Sequence, residues 1–252
     1  MLKIRRDILC KLMSNEFKQG HINPNSDRVV YTDRLSIYSD EDKAGVLDAF
    51  DIANEAHTGQ MRISQEDYFE HLKAVSFILF DECKIHDPAI IKASLLHDIL
   101  EDTTFFGDPT TVPYSVWIED AKEKLTERFG EETADIVVAV TRPPVDDNVQ
   151  FFSKEQRREF YYTQLAQNDP KALLVKVADR LHNLRTQYQT PLEQQKRKVK
   201  ETEEHYLGLF DRLIDAFPIE GTYLMIQIQQ ELEKLHASFN DPKMEEQTIY
   251  NA

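Results

Sequence analysis

From Asp40 to Ala237 the apolar residues of this chain fall at helical spacing in one segment after another, with a helix breaker at most junctions. The segments are 41–57, Glu66–Cys83, Ala89–Asp102, Ser115–Phe129, Glu132–Thr141, Lys154–Gln167, Lys171–Thr186, Leu192–Ala216 and Thr222–Ala237. Asp87-Pro88, Gly130, Pro143-Pro144, Asp169-Pro170 and Pro191 punctuate them. With only 7 glycines in 252 residues, the pattern predicts an all-α helical bundle. Asp40 reads as the N-cap where the principal domain, residues 41–252, begins. Residues 190–252 then supply C-terminal helices that complete the bundle. Residues 1–40 read as an extension, with an amphipathic helix over 2–18 and a loop with one hairpin over 20–40. Two longer loops, 103–113 and 142–153, interrupt the helices, and loops of that length commonly serve function.

Composition narrows the partners. The formal charge is −15, so the basic face that duplex nucleic acid requires is not expected. A phosphorylated small molecule remains compatible, because a bound cation and a few convergent Lys or Arg reverse the local field. Two cysteines, Cys10 and Cys83, in no metal-type spacing read as free thiols in a reducing cytoplasm. The N-terminal residues are interrupted by charges, which argues against a signal peptide. The longest mostly apolar stretch, Ala74 to Phe80, is far short of the ~20 residues a membrane span needs.

Three segments carry the chemistry: AHTGQMR at 56–62, LLHDILEDT at 95–103, and LVKVADRLHNLRT at 174–186. On one continuous helix His97 would stack over Glu101 and Asp98 over Asp102. Three acids at that density need a cation unless they stay in water. One helix cannot surround an ion, so further ligands must come from elsewhere. His57 ends a predicted helix before Thr58-Gly59. Asp179 sits on a strongly apolar helix, where an unpaired carboxylate is costly. Lys176, Asp179 and Asn183 fall at i, i+3 and i+7 and share a face. A set of His57, His97, Asp98 and Asp179 with water suits Mn²⁺ or another octahedral-tolerant divalent ion better than structural zinc. A lone His-Asp pair is usually surface decoration; the match in three segments is what argues against that here. His71 fits equally well as support for the site or as core. The run Lys196–Lys200 reads as the polar face of a long helix.

Together the three segments resemble the hydrolase domain of Rel/Spo-type stringent-response proteins and the stand-alone small alarmone hydrolases, over Ala44 to Thr186. Those proteins carry AHxGQxRKSGEPYxxHP, LLHDxxEDT and KxADRxxNxRT in this order. The resemblance implies an HD-type helical bundle holding Mn²⁺ through His57, His97, Asp98 and Asp179. It also implies that Glu101 and Asp102 act on the attacking water, that Arg62 faces the base, and that Lys176 and Asn183 lie near the ligand. The implied reaction removes the 3′-pyrophosphate of ppGpp or pppGpp, and hydrolysis without synthesis is expected. The departures lie in the first segment, where Ile63, Gln65, Asp67 and Leu72 replace Lys, Gly, Pro and Pro. Losing the cation at position 63 opens the alternative of another nucleotide: an adenosine alarmone, a nucleoside 5′-phosphate or NADPH. Lys176, Arg180 and Arg142 are candidate partners for substrate charge, Arg180 equally a structural ion-pair residue. A silent nucleotide-binding module would be expected to lose ligands or the Glu-Asp pair, and this chain keeps all six positions.

Overall fold

A computed structural model describes residues 24–143 and 154–239. Among these residues the regular elements are helical, and the sole β-type pairing is an isolated bridge between Met61 and Asp67. The helices are α1 (Pro24–Arg34), α2 (Asp40–Ala56), α3 (Tyr68–Phe77), α4 (Pro88–Leu96), α5 (Ile99–Asp102) and α6 (Tyr114–Phe129). They continue with α7 (Glu131–Val140), α8 (Lys154–Gln167), α9 (Pro170–Arg185), α10 (Leu192–His205), α11 (Phe210–Ala216) and α12 (Pro218–Phe239). The predicted amphipathic helix over 2–18 lies outside the described residues, as does most of the second long loop.

Local chemistry accounts for the helix starts. Asp87 and Asp169 each accept a bond from the backbone N–H two residues on, and Pro88 and Pro170 occupy the first helical position. At α2 the cap is Ser39, one residue before the expected Asp40; its hydroxyl accepts from the Asp42 N–H, and Asp40, Glu41 and Asp42 complement the helix dipole.

Helix α9 is the axis of the bundle. It packs against α3, α4, α7, α8, α10, α11 and α12, and twelve of its sixteen residues are buried. Four of those twelve, Lys176, Asp179, Arg180 and His182, are ionisable. A helix buried all round leaves no solvated side for such groups, so each must find a partner inside the protein. The partners recruited from α3 and from the junction between α4 and α5 build the site, while Arg180 finds its partner, Glu201, on α10.

Three expectations need correction. Residues 24–37 form α1 and a 3₁₀ turn, not a hairpin. Tyr31 is buried against Phe50 and Phe77, while Arg28 pairs with Asp51 and Arg34 with Asp81, so tertiary contacts override the β-leaning Val29-Val30-Tyr31. Second, the predicted helix 192–216 breaks at a 3₁₀ turn over Leu207–Leu209. Third, the predicted helix 89–102 is interrupted between α4 and α5, where Asp98 adopts φ −104° and ψ 0°. In the first long loop Phe106 is a buried anchor and Phe105 is exposed.

Candidate metal centre and active site

The interruption between α4 and α5 turns His97 and Asp98 towards α9. Helical hydrogen bonding resumes at once: the Asp98 carbonyl accepts from the N–H groups of Glu101 and Asp102 at 3.1 and 2.9 Å. Asp98 and Asp102 therefore keep the one-turn stagger that the sequence predicts. His97 donates from Nδ1 to the Ser94 carbonyl at 2.8 Å. A carbonyl only accepts, so Nδ1 is a donor and Nε2 is the ring nitrogen left to face a metal. That Nε2 is buried and has no hydrogen-bond partner, although it lies 3.1 Å from Asp98 Oδ2 and 3.8 Å from Asp179 Oδ1.

His57 reaches the same arrangement by a different route. Gln60 donates from Nε2 to the Asp102 carbonyl at 3.0 Å, which turns its Oε1 towards His57 Nδ1 at 2.8 Å. Nδ1 must then be the donor, and His57 Nε2 is left buried and unpartnered. The ring is held in place by stacking on Tyr68, with centroids 4.7 Å apart and planes 8° from parallel. Two imidazoles thus direct an unpartnered Nε2 into the interior, the orientation that outer neighbours give a metal-binding histidine.

The carboxylates close the site. Asp98 Oδ2 accepts from the Tyr68 hydroxyl at 2.8 Å, and the same hydroxyl donates to Asp102. Asp179 Oδ1 accepts from Asn183 Nδ2 at 2.5 Å, and its Oδ2 lies 3.2 Å from Lys176 Nζ. His71, left undecided by the sequence, belongs here: its Nε2 is 3.3 Å from Asp179 Oδ1 and 3.6 Å from Asp98 Oδ2. Among the described residues, His71, His97 and Asp179 offer ligand atoms within 4.8 Å of one another. His71 stands three residues after Tyr68 on α3, so both share the face turned to Asp98; that spacing was the available signal.

The electrostatics favour a cation. Burial opposes charge on His97, yet the Asp98 and Asp179 carboxylates outweigh it and push the ring up to about 10. Burial likewise works against charge on Asp98 and Asp179, but His97 and Lys176 respectively lead the groups that hold both well below the usual carboxylate range. Glu101 and Asp102 go the other way, raised first by burial and then by the charge of Asp98. The unpartnered imidazole nitrogens and the clustered acids fit a divalent metal ion.

The three residues expected near substrate are placed as follows. Arg62 donates to Asn183 Oδ1 at 2.6 Å, to Glu66 at 3.1 Å and to Thr186 at 3.3 Å. Asn183 therefore joins Arg62 to Asp179. Lys176 is buried between Asp179 and Glu101, whose Oε1 is 4.0 Å away and accepts from the Arg142 N–H at 2.9 Å. Arg180 turns away from the cluster onto the Tyr206 ring and Glu201, as a structural ion-pair residue would. Gln65 adopts φ +64°, the left-handed conformation a glycine takes without strain.

A family model described as an HD domain matches residues 49–213. The chain belongs to the HD-domain family. This HD domain is 33% identical over 201 residues to a probable GTP pyrophosphokinase of Mycobacterium leprae, covering 80% of this chain and 22% of the relative. It is 34% identical over 166 residues to a guanosine-3′,5′-bis(diphosphate) 3′-pyrophosphohydrolase of Haemophilus influenzae, covering 64% of this chain and 21% of the relative. The HD domain thus spans about a fifth of the length of the curated relatives it matches. A solved structure, described as a metazoan ortholog of SpoT that hydrolyses ppGpp and plays a role in starvation responses, shares the fold. It has a TM-score of 0.52 and 24% identity over 76% of this chain and 95% of that one. Among the described residues no helix is long and apolar enough to cross a membrane.

Proposed function

We propose that this HD domain is a divalent-metal-dependent phosphohydrolase whose substrate is ppGpp, cleaved to GDP and pyrophosphate. The observation that carries the reading is the meeting of His97, Asp98, Asp179 and His71 in one buried cluster, with orphaned Nε2 atoms on His57 and His97. The Haemophilus relative bears that activity in its name. In this reading His57, His97, Asp98 and Asp179 hold the ion, and their mixed nitrogen and oxygen donors suit Mn²⁺. His71 steadies the two carboxylates. When bound, such an ion supplies an acidified water and a Lewis-acid contact to a phosphoryl oxygen.

The protein supplies the rest. Glu101 carries a raised proton affinity and is fixed through one oxygen by the Arg142 N–H, which suits a general base. Asp102, also raised, is pinned by Tyr68 and orients the water beside it. Lys176 lends its positive field to the phosphate from beneath Asp179. Arg62 and Asn183 fix Asp179, and the small exposed edge of Arg62 faces the base. Cytoplasmic residence goes with this reading, in keeping with two cysteines in no metal-type spacing.

Assay of a nucleotide panel with Mn²⁺ tests the proposal. Pyrophosphate released from ppGpp, and lost in Asp98→Ala, is the expected result. Orthophosphate from a different nucleotide, with ppGpp untouched, would favour the second reading, which exposed Ile63 supports. Gln60→Leu is expected to weaken metal affinity roughly ten- to a hundredfold, the usual cost of losing a group that orients a ligating histidine. A metal titration of the purified variant reads it, and unchanged affinity would remove Gln60 from that role.

A further inference from the structure

The cations nearest the cluster are already committed. Arg62 is tied to Glu66, Asn183 and Thr186, and Lys176 to Asp179. Position 63 is an exposed isoleucine. Yet a substrate carrying several phosphates brings more negative charge than one ion and one buried lysine balance, in a chain whose net charge is −15.

On the Glu101 side of the site, between the end of α7 and the first turns of α8, lies a cavity of about 190 Å³. Its lining is Arg142, Lys154, Glu155, Arg157, Arg158 and Tyr161. Four of these six are cations, and the one acid, Glu155, already pairs with Arg158 at 2.9 Å. Arg142 Nε is buried and has no hydrogen-bond partner, while its terminal nitrogen lies 3.4 Å from both Glu201 and the Tyr162 hydroxyl. Arg142 and Arg158 each have one carboxylate partner, Lys154 and Arg157 none among the lining residues, so the lining keeps a net positive charge that an anion inside would balance.

The cavity adjoins the cluster through shared residues. Arg142 binds Glu101 through its backbone N–H while its guanidinium lies 5.1 Å from the Tyr161 ring centroid. Lys176 Nζ, beside Asp179, is 6.0 Å from the centroid of that same ring. One aromatic side chain thus separates the two regions, a span that a single nucleotide can bridge.

We propose that this basic cavity is a second phosphate-binding site, taking the phosphate group of the nucleotide that is not cleaved. The assignment rests on the nucleotide-hydrolase reading for its use in catalysis, though not for anion binding as such. It makes Arg157 and Arg158 specificity-determining residues that select nucleotides phosphorylated at both ends. Neither is argued to touch the reacting bond.

The double variant Arg157→Gln, Arg158→Gln tests it, because Arg158 is exposed, Arg157 is half-buried with one bond to the Pro143 carbonyl, and neither belongs to the apolar core. Calorimetric titration with inorganic pyrophosphate in EDTA, which keeps metal out of the measurement, is expected to show affinity reduced about tenfold or more. With the Mn²⁺-loaded enzyme, KM for ppGpp is expected to rise by about the same factor, with a smaller change in kcat. KM for guanosine 3′-diphosphate, which has no 5′-phosphate, should move far less; a general structural defect would shift both. Unchanged pyrophosphate affinity, or an unchanged KM for ppGpp, overturns the second site and leaves the hydrolase reading standing. No turnover of any nucleotide, with pyrophosphate binding still dependent on the two arginines, overturns the hydrolase reading and leaves the anion site in place.

Discussion

Asp179→Asn is expected to abolish stoichiometric metal retention and to lower turnover at least a hundredfold, beyond the ten- to hundredfold typical of losing an outer neighbour. The substitution keeps the shape of the side chain, removes its charge and turns one acceptor oxygen into an NH₂ donor facing Asn183 or Lys176. Two effects converge. Asp179 Oδ1 lies 3.3 Å from His71 Nε2 and 3.8 Å from His97 Nε2, and neutralising it leaves Asp98 as the single carboxylate facing both rings. Asp179 Oδ2 also balances Lys176, which is buried and otherwise has Glu101 4.0 Å away. Removing one partner of a buried pair costs about 3–5 kcal/mol, so the metal-free variant should also unfold at lower denaturant concentration. Metal analysis of the purified protein and urea unfolding in EDTA separate the two. Full metal occupancy in the variant would exclude Asp179 as a ligand, whatever its stability.

That double duty explains why part of the site could be read from sequence and part could not. His97, Asp98 and Asp179 stood out because acids and imidazoles on strongly apolar helices demand partners, and the three segments named one another. The interruption at His97–Asp98 was hidden. Leu95, Leu96, Ile99 and Leu100 are buried on both sides of it, so the apolar spacing runs through the break as if the helix were continuous. The Asp-Pro helix starts were legible since the capping chemistry is local. Helix α1 was not, because Tyr31 is ordered by Phe50 and Phe77, which are remote in sequence. Local patterns report local causes.

Cations that turn inward were the least legible feature of all. Lys198 belongs to a run that reads as a solvated helix face, and Lys196 and Lys200 do pair with Glu193 and Glu204 on that surface. Lys198 instead turns inward to Glu201 at 3.2 Å. Nothing in the spacing distinguishes it from its neighbours; the difference is that α10 lies over Arg180 of α9.

Glu201→Gln is accordingly expected to destabilise the fold by about 3–5 kcal/mol at pH 7, the range for uncoupling a buried ion pair. Glu201 Oε2 meets Arg180 at 3.1 Å and Lys198 at 3.2 Å, while Oε1 accepts from Tyr162 at 2.6 Å and lies 3.4 Å from Arg142. Its side chain is 13% exposed, so water screens these contacts little. Three cations would be left around a neutral amide. Burial alone would raise the Glu201 carboxyl, but Arg180, Lys198 and Arg142 overcome it and hold the group far below its ordinary value. For a carboxyl depressed by folding, the stabilisation is complete above the unfolded value, roughly 4.3, and drains away as pH falls towards the folded one. The gap between the native protein and the variant should therefore be constant from pH 7 to 5 and narrow steadily below about 4. Urea unfolding at pH 7, 5 and 3 measures it. A gap below about 1 kcal/mol at pH 7 would mean that the cations behave as an exposed cluster that water already solvates. The pair Arg180–Glu201 would then no longer explain why α9 holds Asp179, its preceding residue, at the centre of the site.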